Sequence, residues 1–205
     1  MGKKIKEDTA SSTIKIKEAA HKLFLQNGYG STSIREIAET AGTNVALLNY
    51  HFGSKQNLFE EVVLEKIQLL LGRLKPIFSD EHTSLDQKIE AMVDTYIDFL
   101  LEDPDLLTFV LNEIRKNNFE FIAKTRLGEL VHQSFFMKQL KVATGSTNPL
   151  QLLMSIVAML VYPFVARPVI IQTRLADNHE FHQMMLERKK LIPVWVRSML
   201  KTNES

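Results

Sequence analysis

An all-α fold is predicted by three observations. Apolar residues recur at helical spacing along most of the 205-residue chain, with i, i+3, i+4, i+7 stripes rather than strict alternation. Helix start and stop chemistry punctuates those stripes at short intervals. No strand-period segment interrupts them. The 45% hydrophobic content suffices for a sizeable core, and the length suits one domain plus a small appendage.

The first stripe, Ile16, Ala19, Ala20, Leu23 and Phe24, marks a helix ending at Asn27-Gly28. Ser33, with Glu36 three residues on, forms a capping box that starts a second helix carrying Ile34, Ile37, Ala38 and Ala41 inward, and Gly42 then ends it. Asn44 caps a short third helix running to about Phe52, with Leu48 and Phe52 facing inward. Gly53 breaks that helix, and Ser54 caps a long fourth one that carries Leu58, Phe59, Val62, Val63, Ile67 and Leu70 and fades near Pro76.

Beyond it the pattern predicts helices over 84–101, 105–116, 119–143, 148–166 and 179–201. Asp103-Pro104 and Gly145-Ser146-Thr147 are turn chemistry, and Asn148-Pro149 is a cap followed by proline at the first helical position. Arg167-Pro168 is expected to interrupt the apolar run, and Pro193 to bend the last helix. The predicted organisation is a three-helix helix-turn-helix domain over 1–53 and a larger helical bundle over 54–205.

Composition excludes several functions. With no cysteine there is neither a disulfide nor a thiolate metal site. Net charge is only +1, so any basic surface is local; Lys3, Lys4 and Lys6 form one such cluster, read as a solvated terminus. The N-terminal residues lack the apolar core of a secretory signal, so a cytoplasmic location is expected. Leu150 to Ala166 is barely long enough to span a bilayer and carries Gln151, Ser155, Tyr162 and Pro163. It is read as a helix packed on both sides inside protein, with no membrane partner. No Gly-rich phosphate loop, nucleophile elbow, metal quartet or isolated carboxylate pair is present, so the chain is not read as an enzyme and no cofactor is expected. His179 and His182 could share a metal, but a surface pair is the simpler reading.

Two short helices joined by a Gly-containing turn are the parts of a helix-turn-helix reader, though such a turn also occurs by chance in helical proteins. The residues narrow the choice. Ala19-Ala20, Leu23-Phe24, Asn27-Gly28-Tyr29, Thr32 to Ala38, Ala41-Gly42 and Tyr50-His51-Phe52-Gly53-Ser54-Lys55 resemble the tetracycline-repressor (TetR) family over about residues 14–63. The remaining three quarters match only in being helical.

That resemblance implies a recognition helix from Asn44 to Phe52 lying in the major groove of double-stranded operator DNA. Ser33, Arg35, Tyr50, His51 and Lys55 are then expected to hold phosphates, and Thr43, Asn44, Val45, Ala46 and Asn49 to face base edges. Duller readings stand beside these. Ser33 and Asn44 serve as caps in any case, Tyr50 could pack between helices, and Lys55 alone would be an ordinary surface lysine. The chain also departs from the family pattern, with Asn49 where tyrosine is common and Val45 where a polar residue is common. Lys17 occupies a usually apolar position, which is expected to expose more of the first helix.

The resemblance further implies a homodimer through the last two long helices. Independently, a helix apolar all round has too much greasy surface for a monomer's exterior. The residues expected at the interface are Leu153, Val157, Met184, Met185, Ile192, Trp195 and Met199. A small apolar effector of unknown identity, releasing a repressor from DNA, is expected to meet Met92, Tyr96, Phe99, Asn112, Glu113 and Tyr162. The rival reading is a helix-turn-helix module that docks protein instead of DNA.

Overall fold

A computed structural model of the chain describes residues 2–104, 106–107, 110–111, 119–145 and 148–201. All regular elements among them are α-helices: α1 Gly2–Ser31, α2 Ile34–Thr40, α3 Val45–Phe52, α4 Lys55–Ser79, α5 Leu85–Glu102, α6 Phe119–Thr125, α7 Leu127–His132, α8 Phe135–Thr144, α9 Pro149–Gln172 and α10 Asn178–Lys201. Two compact units are formed, residues 1–66 and 67–205.

In the first unit, α1 is interrupted where Gly28 adopts φ 75°, ψ 160°, a conformation that costs a residue without Cβ little. Most of the predicted stripe is buried: Ile16 and Ala20 are inaccessible, Ala19 and Phe24 nearly so, and Leu23 is half-buried. Ile37 and Ala38 of α2 and Leu48 and Phe52 of α3 join them in the core. Beside α1, Phe24, Tyr29 and Phe59 form an aromatic triad with centroid separations of 4.6 to 5.8 Å.

The expected exposed flank at Lys17 is not found. Its ammonium lies 3.0 Å from Glu61 and 2.6 Å from Glu65, one turn apart on α4. Partial burial pulls its pKa down, but the bonds and charges of Glu65 and Glu61 outweigh this and hold it above the ordinary lysine value.

In the second unit, Ser84 caps α5 in a reciprocal box with Gln87, and α5 buries Ile89, Met92, Val93, Ile97, Phe99 and Leu100. Helix α10 packs along α5, flanked by Lys189 ion pairs to Asp94 at 2.8 Å and Asp98 at 2.6 Å and by Arg197 to Glu90 at 2.9 Å. The helix expected over 105–116 falls largely outside the described residues, although Leu106, Leu107, Val110 and Leu111 are helical.

Two boundaries differ from expectation. The single helix predicted over 119–143 is three pieces, because Thr125 and Ser134 bond local backbone instead: Thr125 Oγ1 donates to Ile122 O and Ser134 Oγ to Val131 O. Arg126 between them takes φ 55°. Conversely, α9 runs through Pro163 and Pro168 to Gln172. Packing of the flanking turns outweighs one lost bond per proline. Helix α9 is also not enclosed on both sides as expected: Met154, Val157, Tyr162, Val165 and Val169 are 38 to 69% exposed, on a helix otherwise long and apolar enough to cross a membrane.

Candidate nucleic-acid interface

The turn between α2 and α3 is fixed by backbone bonds. Gly42 N–H donates to Glu39 O and Thr43 N–H to Ala38 O, with Gly42 at φ 66°, the paired pattern of a Schellman stop. The next helix begins at once. Asn44 Oδ1 accepts from Leu47 N–H at 2.8 Å, so the cap that starts α3 lies two residues beyond the glycine that ends α2. At the other end of α2, Glu36 N–H donates to Ser33 Oγ and Ser33 N–H to Glu36 Oε2 at 2.7 Å. The Ser33 bonds, side chain first and then backbone, hold the Glu36 carboxyl below its ordinary pKa.

With Leu48 and Phe52 buried, α3 presents Asn44, Ala46, Asn49 and Tyr50 outward, and Tyr50 is 82% exposed. Thr43 and Val45 are half-buried at its start, and Arg35 stands exposed on α2. Asn44 and the small Ala46 therefore stand exposed at the start of α3 and Asn49 and Tyr50 further along it, while Ser33 stands exposed as the cap of α2. Tyr50 is not an interhelical packing residue.

Two expected phosphate holders are placed differently. His51 is half-buried edge-on to Tyr50 at 5.3 Å, and its Nε2 is shielded without a hydrogen-bond partner. Lys55 points inward along the unit. Its Nζ donates to Tyr29 O and Thr32 O, both at 2.8 Å, and lies 4.2 Å from the centre of the Tyr29 ring. The chain leaving α1 at Gly28 turns to expose these carbonyls, and a cation at the start of α4 satisfies them.

Tyr29 and Thr32 carry part of the family resemblance but were given no role from sequence, yet both build this clamp. Tyr29 Oη donates to Gln56 Oε1 at 3.0 Å, and the buried Thr32 Oγ1 to Gly28 O at 2.9 Å. The available signal was the Lys55 cation four residues after His51, with no carboxylate three or four residues away in sequence to pair it.

The second unit departs further from expectation. Met92 and Phe99 are 3% and 2% exposed and fill core. Tyr96 is half-buried, and burial raises its hydroxyl pKa, whereas Tyr162 is 69% exposed on the outer face of α9. Asn112 and Glu113 lie outside the described residues. A groove of about 560 Å³ does occur in this unit, but Arg73, Asp94, Thr95, Asp98, Leu101, Glu102, His182 and Leu186 line it. Of the expected interface residues, Val157, Met184 and Trp195 are exposed and Leu153 and Met199 half-buried, while Met185 and Ile192 turn into the chain's own core at 1% and 0%. One stripe of α10 faces out and the opposite one packs on α5. Among the described residues no group of three or more His, Cys, Asp or Glu is arranged for a metal.

Comparison with known proteins agrees with the helix-turn-helix. Residues 16–62 match the family of bacterial regulatory proteins, tetR family. The probable HTH-type transcriptional regulator YttP of Bacillus subtilis is 28% identical over 95% of this chain and 96% of its own length. An HTH-type transcriptional regulator of Staphylococcus aureus strain USA300 is 25% identical over 62% of this chain and 66% of its own. Among solved structures, a TetR/AcrR-family regulator from Thermobifida fusca superposes with a TM-score of 0.67 at 20% identity, covering 88% of this chain and 96% of that one. The fatty acid degradation regulator FadR of Bacillus halodurans gives 0.65 at 16%, covering 88% and 93%. FadR of Bacillus subtilis, solved with stearoyl-CoA, gives 0.59 at 16%, covering 87% and 96%. Residues 16–62 thus carry a helix-turn-helix of the tetR-family type, and the chain is a helix-turn-helix transcriptional regulator.

Proposed function

We propose that the protein is a repressor which binds a two-fold operator as a homodimer and leaves it when a small molecule occupies the second unit. The carrying observation is the exposed face of α3: Asn44, Ala46, Asn49 and Tyr50 stand outward on a helix whose opposite side is fully buried. Asparagine bonds adenine bidentately and a small apolar side chain touches a thymine methyl, so this face has reading chemistry. Exposed Arg35, Ser33 and Tyr50 supply phosphate contacts, which set register without reading sequence. The anchoring role first expected of Lys55 passes to these residues, because Lys55 is engaged within its own unit.

A second copy is the occupant that best suits the outer face of α9 and α10. Met154, Val157, Tyr162, Val165, Met184, Leu191 and Trp195 are each 38 to 69% exposed, and exposed apolar side chains gathered on two helices are what an interaction face carries. Operator half-sites also call for two-fold symmetry. On this reading the chain works in the cytoplasm, by binding rather than catalysis. The effector is proposed because a regulator needs a ligand with unequal affinity for two states, and because the similar B. subtilis FadR was solved with stearoyl-CoA.

Binding to genomic DNA fragments at two salt concentrations tests the proposal. Phosphate contacts make true DNA affinity fall steeply with salt. Affinity that is absent, or insensitive to salt, favours the protein-docking module instead.

A further inference from the structure

Helix α9 contains a gap that another helix fills. Pro163 has no N–H, so Met159 O, four residues earlier, loses the donor an α-helix ordinarily supplies. The Arg188 side chain of α10 crosses to this point, and its Nη2 donates to Met159 O at 2.8 Å. The same guanidinium lies 5.3 Å from the Trp195 ring, two turns further along α10. Met184, Arg188, Leu191 and Trp195 are spaced 4, 3 and 4 residues apart, which puts them on one side of the helix. The three apolar members of that stripe are 38 to 43% exposed.

Arg188 is poorly suited to a merely solvated role. It is half-buried, its Nε is shielded without an acceptor, and burial depresses its pKa. A desolvated donor left unmade is costly, and an apolar residue of similar length would remove that cost. What an apolar residue could not do is satisfy Met159 O. The planar fork suits the task, because one nitrogen reaches the carbonyl while the plane rests against an indole.

The geometry points to Arg188 as a positioning residue that replaces the hydrogen bond Pro163 deletes, and so locks α9 to α10 and sets the exposed face on which a second copy docks. The docking half of this statement rests on the dimer proposed above; the repair half does not. Pro163 and Arg188 then form one functional unit: proline opens the carbonyl on the side facing α10, and arginine couples it to the stripe that ends in Trp195. Substitution of either residue alone disturbs the face, and the effects are not additive.

A double-substitution cycle tests this on the full chain, comparing wild type, Arg188→Met, Pro163→Ala and the double variant by sedimentation and by urea unfolding. Pro163→Ala returns an N–H at position 163, so Met159 O no longer depends on α10. Arg188→Met is expected to raise the dimer dissociation constant about tenfold or more in the otherwise native chain, and less than about twofold when Pro163→Ala is also present. An equal loss in both backgrounds overturns the inference, as does an unchanged dissociation constant in Arg188→Met. If wild type sediments as a monomer, the dimer reading and the docking half fail together. The urea midpoints then decide the repair alone, with coupled losses supporting it and additive losses overturning it. Should Arg188→Met fail to fold, recovery of folding on adding Pro163→Ala is the expected rescue, and no recovery overturns the pairing.

Discussion

Lys55 donates to the carbonyl of Tyr29 at 2.8 Å while its ammonium lies 4.2 Å from the centre of the same residue's ring. One cation thus joins the first turn of α4 to the end of α1, and the backbone bond to Thr32 O widens the attachment. The phosphate-holding and clamp roles differ in what salt does. Lys55→Met should weaken operator binding by loosening the unit, with the slope of log affinity against log salt unchanged, and should lower stability by about 1 to 3 kcal/mol. A slope flattened by about 0.9, the signature of one lost phosphate contact, would return Lys55 to the DNA.

Lys17 supplies a pH test at the other end of the same helix pair. Its folded pKa is raised, so its contribution is complete below the unfolded lysine value, near 10.4, and is lost as pH climbs through the folded value. Lys17→Met keeps the packed stem and removes the charge. It should cost about 0.5 to 1 kcal/mol at pH 7, because Glu61 and Glu65 are half exposed. The difference between variant and wild type should shrink above about pH 10.5. Urea unfolding of both at pH 7 and pH 11 checks it, and a gap that stays constant contradicts the ion pair as its source.

Asn49 and Asn44 separate reading from capping. Asn49→Ala should shift preference at particular bases by about 1 to 3 kcal/mol and leave stability nearly unchanged, since the side chain is exposed. Asn44→Ala also removes the acceptor of Leu47 N–H and should cost about 1 kcal/mol of stability. Competition with base-substituted operators, alongside thermal unfolding, distinguishes them. Uniform affinity loss from Asn49→Ala across all sequences would show it to be an anchor.

The outer and inner faces of α10 should respond differently to charge. Trp195→Glu, at a position 38% exposed, should yield folded monomers, because a second copy would have to bury an unpaired carboxylate. Ile192→Glu, at a position fully buried within the chain, should unfold the second unit instead. Sedimentation and circular dichroism together resolve the two. A Trp195→Glu protein that remains dimeric removes this face from the interface.

Much of the first unit was legible because short-range chemistry dictated it. Ser33 with Glu36, the Gly42 stop and the Asn44 cap are local motifs, and each forms the bonds its spacing implies. The Lys17 and Lys55 contacts were not legible, since each depends on which face of α4 meets α1, some 23 to 48 residues away in sequence. In the second unit periodicity identified helices but not their orientation. Met184 and Met185 read as equivalent members of one broad apolar face, yet the first is 43% exposed and the second 1%. Adjacent helical residues point about 100° apart, so only the direction of α5 and α9 decides between them. Pro168 misled for a related reason: a local breaker is overridden when packing of the flanking turns compensates it.

Selection of bound fragments from a random DNA library tests the central claim most directly. The predicted result is a palindromic site, with half-sites centred about one helical turn, 10 to 10.5 base pairs, or a multiple of it apart. Enrichment should weaken at defined bases for Asn49→Ala and fall generally as salt rises. Recovery of no common sequence by folded, dimeric protein would contradict the account, leaving the helix-turn-helix as a surface for protein.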